Sequence, residues 1–131
     1  MKVVKFLSPE WHDGFRNFSA DLPERIGASA RMLIIVAGSP DGDLRYHQVI
    51  ENGRVVEQAN GDLAEPDVTL SMVWGDAVEI QSGALDANAA MMQGKVKIAG
   101  NMAKVIALLP LTMSSEYAAI QARIREITEV D

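Results

Sequence analysis

Asp86-Ala87-Asn88-Ala89-Ala90-Met91-Met92-Gln93-Gly94-Lys95-Val96-Lys97-Ile98-Ala99-Gly100-Asn101-Met102 reads as helix, glycine stop, short strand, glycine turn and second helix, with no slack between them. Asp86 is a strong N-cap, because its side-chain oxygen can accept from the free amides of a first helical turn. Gly94 can take the left-handed conformation that ends such a helix, so a helix of about two turns is predicted over 86–93. Lys95-Val96-Lys97-Ile98 alternates charged and apolar residues at period two, which predicts a strand with one wet and one buried face. Gly100-Asn101 then turns the chain into a helix over 101–109, and Pro110 separates it from the last helix.

The rest of the chain supplies the partners of this unit. Ser8-Pro9-Glu10 opens a helix with an N-cap hydroxyl, a proline at the first helical position and an acid at the positive end of the dipole. Trp11, Phe15, Phe18 and Leu22 fall on one face of it, a stripe that core packing explains. Residues 31–38 form an apolar run rich in branched side chains and too short for a buried helix, which predicts a central strand ending at an Asp41-Gly42 turn. Strands follow at 44–50 and 54–57, joined by Asn52-Gly53, the strongest short hairpin signal because both residues tolerate positive φ. Val68, Leu70 and Met72 alternate with Thr69 and Ser71 as a fourth strand, and 95–98 is the fifth. Helices at 75–81, 86–93, 101–109 and 114–128 must cover these strands, which gives an α+β architecture with one open sheet face.

At 131 residues the chain suits one domain, 1–131, with a core of its own. Cysteine is absent, which excludes disulfides, thiolate catalysis and cysteine-held metal, and is compatible with a reducing cytosol. No stretch approaches the roughly 20 apolar residues that span a bilayer, and Met1-Lys2-Val3-Val4-Lys5-Phe6-Leu7 is too short in its apolar part for a secretory signal. A cytoplasmic location is expected. The formal charge of −6 and the scattering of the twelve basic residues argue against nucleic acid as a partner. Lys95, Lys97 and Lys104 read first as solvated residues and allow at most transient contact with an anionic membrane.

The run Gln93-Gly94-Lys95-Val96-Lys97-Ile98-Ala99-Gly100-Asn101 closely resembles the Gln-Gly-Lys-x-Lys-Ile-x-Gly-Asn signature of sterol carrier protein type two domains. Asp67-Val68-Thr69-Leu70-Ser71 is similar to the strand that precedes it in that family, Gly83 sits between the two, and the order of elements fits from Arg31 to the C-terminus, about three quarters of the chain. The resemblance implies a mostly antiparallel five-stranded sheet whose helices enclose a hydrophobic tunnel. A fatty acyl chain, acyl-CoA, phospholipid or sterol is the expected occupant. The ending Glu129-Val130-Asp131 lacks the peroxisomal tripeptide of many eukaryotic relatives. Met91-Met92 departs from the aromatic residues the family commonly carries before its Gln-Gly, which suggests a more pliable wall.

Residue pattern alone leaves a dense core and a lined tunnel both open, although the helix carrying Met102, Val105, Ile106, Leu108 and Leu109 is apolar on nearly every side and demands cover twice. The last helix offers that cover through Met113, Tyr117, Ile120, Ile124 and Ile127. With the resemblance, Ile80, Met91, Met92, Val105, Leu108, Leu109, Met113, Tyr117 and Ile120 are expected to line the tunnel. Gln93 is placed near a polar end, where its amide orients a head group or simply caps the helix.

No catalytic group, cofactor or metal site is expected. His12 and His47 lack a neighbouring Ser or second His and read as structural or solvent-facing, and Glu65 and Asp67 read as a solvated turn about Pro66. The leading expectation is therefore binding and carriage of a lipid without reaction. The alternative is an accessory or dimerisation module that presents a lipid-like intermediate to a partner enzyme or binds one, as the similar domains of alkylsulfatases and ubiquinone-biosynthesis factors suggest. An enzyme acting on a lipid would need a polar constellation that the linear sequence does not display.

Overall fold

Branched apolar residues crowd positions 33–36, and that stretch becomes the middle of the sheet in the computed structural model, which describes residues 3–130. Met1, Lys2 and Asp131, which enter the readings of the two chain ends, lie outside the described residues. In chain order the elements are β1 (Val4–Lys5), α1 (Pro9–Phe18), β2 (Ala30–Ser39), β3 (Gly42–Glu51), β4 (Arg54–Asn60), β5 (Val68–Val73), α2 (Trp74–Ser82), α3 (Ala87–Met92), β6 (Lys97–Gly100), α4 (Met102–Ala107), α5 (Leu109–Thr112), α6 (Ser115–Ile127) and β7 (Thr128–Glu129). The main sheet has the order β4-β3-β2-β5-β6, antiparallel except for the β2–β5 pair. The expected α+β architecture with a five-stranded, mostly antiparallel sheet is what the chain forms. A small parallel pair, β1 with β7, ties the two ends together and was not expected from the sequence.

Local chemistry accounts for the element boundaries. Ser8 Oγ accepts from the Trp11 amide at 3.2 Å and Pro9 sits in the first turn, so α1 starts where its caps place it. Asn52 (φ 49°) and Gly53 (φ 84°) make the tight turn between β3 and β4, with the twist that suits the flanking strands. The turn before β3 is Pro40-Asp41 instead, and Gly42 already belongs to the strand.

Three expectations need correction. The strand expected at 95–98 runs Lys97–Gly100, because the amides of Lys95 and Val96 both bond back to the Ala90 carbonyl (2.9 and 3.2 Å) and close the end of α3. The helix expected at 101–109 stops at Ala107, and Pro110 lies inside the short α5, in a first turn where its missing N–H costs nothing. Nor is α4 covered twice: Val105 and Leu108 turn inward, whereas Met102 and Ile106 remain 51% and 63% exposed.

The helices pack on the sheet face that carries Met32, Ile34 and Val36. Phe6, Trp11, Phe15, Ile50, Leu111 and Ile124 belong to the same buried cluster. Thr128 pins three helices at one point, its hydroxyl accepting from Trp11 Nε1 and Gln81 Nε2, both at 3.0 Å, and donating to the Ile124 carbonyl. Among the described residues no helix is long and apolar enough to cross a membrane.

Candidate ligand cavity

Packing between sheet and helices is incomplete, and a cavity of about 400 Å³ remains. Its floor is built by the period-two geometry of the strands, which sends Met32, Ile34 and Val36 of β2 and Val68, Leu70 and Met72 of β5 to the same face. In register the residues form rows across the sheet, Gln58 beside Gln48 beside Met32 beside Val68, and Tyr46 beside Ile34 beside Leu70. The walls come from the helices, with Trp11 and Phe15 of α1, Ile80 of α2, Met91 of α3, Val105 of α4, Leu109 of α5 and Tyr117, Gln121, Ile124 and Arg125 of α6.

One side of this apolar space is polar. Gln48 Nε2 donates to Gln58 Oε1 at 2.8 Å, and Gln58 Nε2 donates in turn to His12 Nδ1 at 3.0 Å. His12 Nε2–H then donates to Asn60 Oδ1 at 2.9 Å, a direction fixed by Nδ1 already accepting from Gln58. Burial holds His12 below its usual pKa, against the raising influence of the Asn60 bond, so the ring is neutral and one tautomer fits the chain of bonds. Tyr46 and Tyr117 face the cavity beside this network, and burial raises the pKa of both phenols, which keeps them neutral donors and acceptors.

The cavity brings together Ile80, Met91, Val105, Leu108, Leu109 and Tyr117 from among the residues expected to line it. It does not include Met92, Gln93, Met113 or Ile120. Met92 and Met113 are 89% and 68% exposed, because each falls on the outward side of its short element, and Gln93 is the exposed C-cap residue of α3. Ile120 is buried in the core cluster instead. Asp67 does more than solvate a turn, since its carboxylate accepts from the Arg31 amide at 2.9 Å and fastens β5 to β2.

Sequence reading missed the polar residues Tyr46, Gln48, Gln58 and His12 as a group. The available signal was a glutamine in core register on a strand, with Tyr46, Gln48 and Ile50 alternating toward one face. Among the described residues no group of His, Asp and Glu is arranged to hold a metal ion. His47 Nε2 lies 2.9 Å from a Glu57 carboxylate oxygen, and its Nδ1–H donates to the Gly61 carbonyl at 3.0 Å.

Fold and cavity together define a small α+β domain of the sterol-carrier type. The model of the SCP-2 sterol transfer family matches residues 27–112, and the chain belongs to that family. Among solved structures, a crystal structure of sterol carrier protein 2 superposes with a TM-score of 0.69 at 14% identity, covering 93% of this chain and 98% of that one. The palmitated SCP2L2 of Aedes aegypti gives 0.56 at 18% identity, covering 75% and 85%. The sec-alkylsulfatase Pisa1 of Pseudomonas sp. gives 0.51 at 22% identity over 72% of this chain but only 15% of the sulfatase. A search of curated proteins finds no match.

Proposed function

We propose that this chain binds and carries a hydrophobic ligand, a fatty acyl chain, acyl-CoA, phospholipid or sterol, in the cavity between sheet and helices, without reacting with it. The observation that carries this reading is the cavity itself: about 400 Å³ of mostly apolar space is large for a packed interior and within the range of small-molecule sites. The palmitated neighbour of the same fold supports an acyl chain as one occupant. Ile80, Met91, Val105, Leu108, Leu109 and Tyr117 are the proposed contacts. Burying ~14 methylenes at ~0.8 kcal/mol each contributes roughly 11 kcal/mol before an association cost of ~4 kcal/mol or more, enough for useful affinity with no charged anchor.

The exposed Met92, Met102, Ile106 and Met113 favour a second reading, an accessory module that meets a partner protein through these apolar side chains. Native mass spectrometry of protein purified without detergent, followed by organic extraction, separates the two. A retained lipid supports carriage and names its class. A clean apo mass, still clean after incubation with acyl chains and sterols, overturns carriage and leaves the partner module.

A further inference from the structure

We infer that the cavity selects a ligand whose buried end carries an uncharged oxygen group, a hydroxyl or a carbonyl, received by Gln48, Tyr46 and Tyr117 on the β3–β4 side. This rests on the proposed carriage of a hydrophobic ligand and adds the chemistry and orientation of its head. The argument starts from hydrogen-bonding capacity. A primary amide offers two N–H donors and an acceptor oxygen with two lone pairs. Within the Gln48–Gln58–His12–Asn60 chain each glutamine gives one N–H, toward Gln58 Oε1 and His12 Nδ1 respectively, and Gln48 also hydrogen-bonds the Tyr117 phenol, so what this side offers a ligand is the second lone pairs of the amide oxygens and the phenol O–H groups. Tyr46 lines the same side of the cavity, its ring fixed at 5.1 Å from that of His12. Gln48 and Gln58 are 8% and 2% exposed, so these groups meet the contents of the cavity and not bulk water.

Charge decides which head group fits. The charged residues around the cavity are Asp86, the N-cap of α3, which accepts from the Ala89 amide, and Arg125 of α6. Arg125 lies eight residues beyond Tyr117 on α6, about 12 Å along the helix axis, where its Nε donates to the Gln81 carbonyl at 3.0 Å. It is exposed and marks the opposite, solvent-facing end. A carboxylate buried against Gln48 would therefore be desolvated with no cation to compensate, whereas a hydroxyl or carbonyl loses only hydrogen bonds that the amide and phenols replace. An anionic ligand enters with its charge at the Arg125 end and makes no hydrogen bond to the amides.

Calorimetric titration of the whole chain with 1-decanol, decane and ionised decanoate at pH 8 tests this, each ligand also run in competition with a fluorescent acyl probe. Decanol is expected to bind about tenfold more tightly than decane, with decanoate close to decane. In Gln48→Leu the decanol-to-decane ratio is expected to fall toward unity. Should that variant fail to fold, the ratio in the unmodified protein still decides. Equal affinity for decanol and decane, or decanoate binding as tightly as decanol, overturns the head-group inference while carriage stands. Binding of none of the three overturns both.

Discussion

Gly100 lies against the Asp67 carbonyl so closely that no Cβ fits between them. The backbone of Val68 is 3.2 Å from where that Cβ would stand, and Gly100 has φ of +118°, a conformation that L side chains rarely adopt. The same Asp67 carbonyl accepts from the Asn101 amide at 2.9 Å, and the Asn101 side chain accepts from the amides of Ala103 (3.0 Å) and Lys104 (3.4 Å) to start α4. The Gly-Asn pair of the sequence signature thus has a physical basis. Glycine admits the close pass of β6 over β5, and asparagine turns the chain into the helix that walls the cavity.

Gly100→Ala should therefore destabilise the protein by about 2–3 kcal/mol, since backbone strain and steric conflict act together. Urea unfolding followed by circular dichroism measures it. A loss below about 0.5 kcal/mol would show that β6 shifts without cost and that the close approach to Asp67 is not a constraint.

Much of this architecture was legible because the signals were local. Asn52-Gly53 declares its turn through two residues that accept positive φ, and Val68, Leu70 and Met72 declare their face by alternation alone. The start of β6 was not legible, because alternation at Lys95-Val96 is real but the Ala90 carbonyl captures both amides first. Half-legible is a fair description of the cavity: Ile80, Met91, Val105, Leu108, Leu109 and Tyr117 follow from apolar helix faces and the family resemblance. Its polar side leaves one trace in the pattern, a glutamine in core register at position 48, and nothing that joins it to its partners. Gln48 and Gln58 meet only through the register of two strands, ten positions apart, and His12 reaches them from a helix 46 positions away from Gln58.

Adjacent methionines should behave oppositely. Met91 faces the cavity and Met92 is 89% exposed, so Met91→Trp should weaken acyl-chain uptake by about tenfold or more while Met92→Trp leaves it within about twofold. Displacement of a fluorescent acyl probe reads both. Equal effects from the two variants would place the ligand somewhere other than this cavity.

Leu109→Trp tests the same space from the opposite wall. Leu109 lines the cavity and is only partly buried, so an indole has open volume to enter. Ligand binding should be abolished with the fold intact and the apo melting temperature unchanged or raised, because filling a void restores packing contacts. Unchanged affinity in the folded variant would remove Leu109 from the site.

Acid should weaken the fold through His12. Burial lowers its pKa from 6.5, and the neighbouring His47 and Arg16 push the same way, against the Asn60 hydrogen bond and Asp13. In the unfolded chain the ring titrates near 6.5, so below that pH the unfolded state binds a proton that the folded state refuses. The His12 contribution is complete above pH 6.5 and is lost as pH falls from there toward the lowered folded pKa, with a slope of up to about 1.4 kcal/mol per pH unit. Protonation would also set an N–H on Nδ1 against the N–H of Gln58, which lies 3.0 Å away. His12→Gln removes the titration, and its stability should fall less steeply between pH 6.5 and 5 than that of the unmodified protein, although the variant loses about 1–3 kcal/mol at neutral pH from imperfect replacement of two buried hydrogen bonds. Melting curves across that range give both slopes. Parallel slopes would assign the acid sensitivity to other groups and show that the His12 ring is free to charge where it sits.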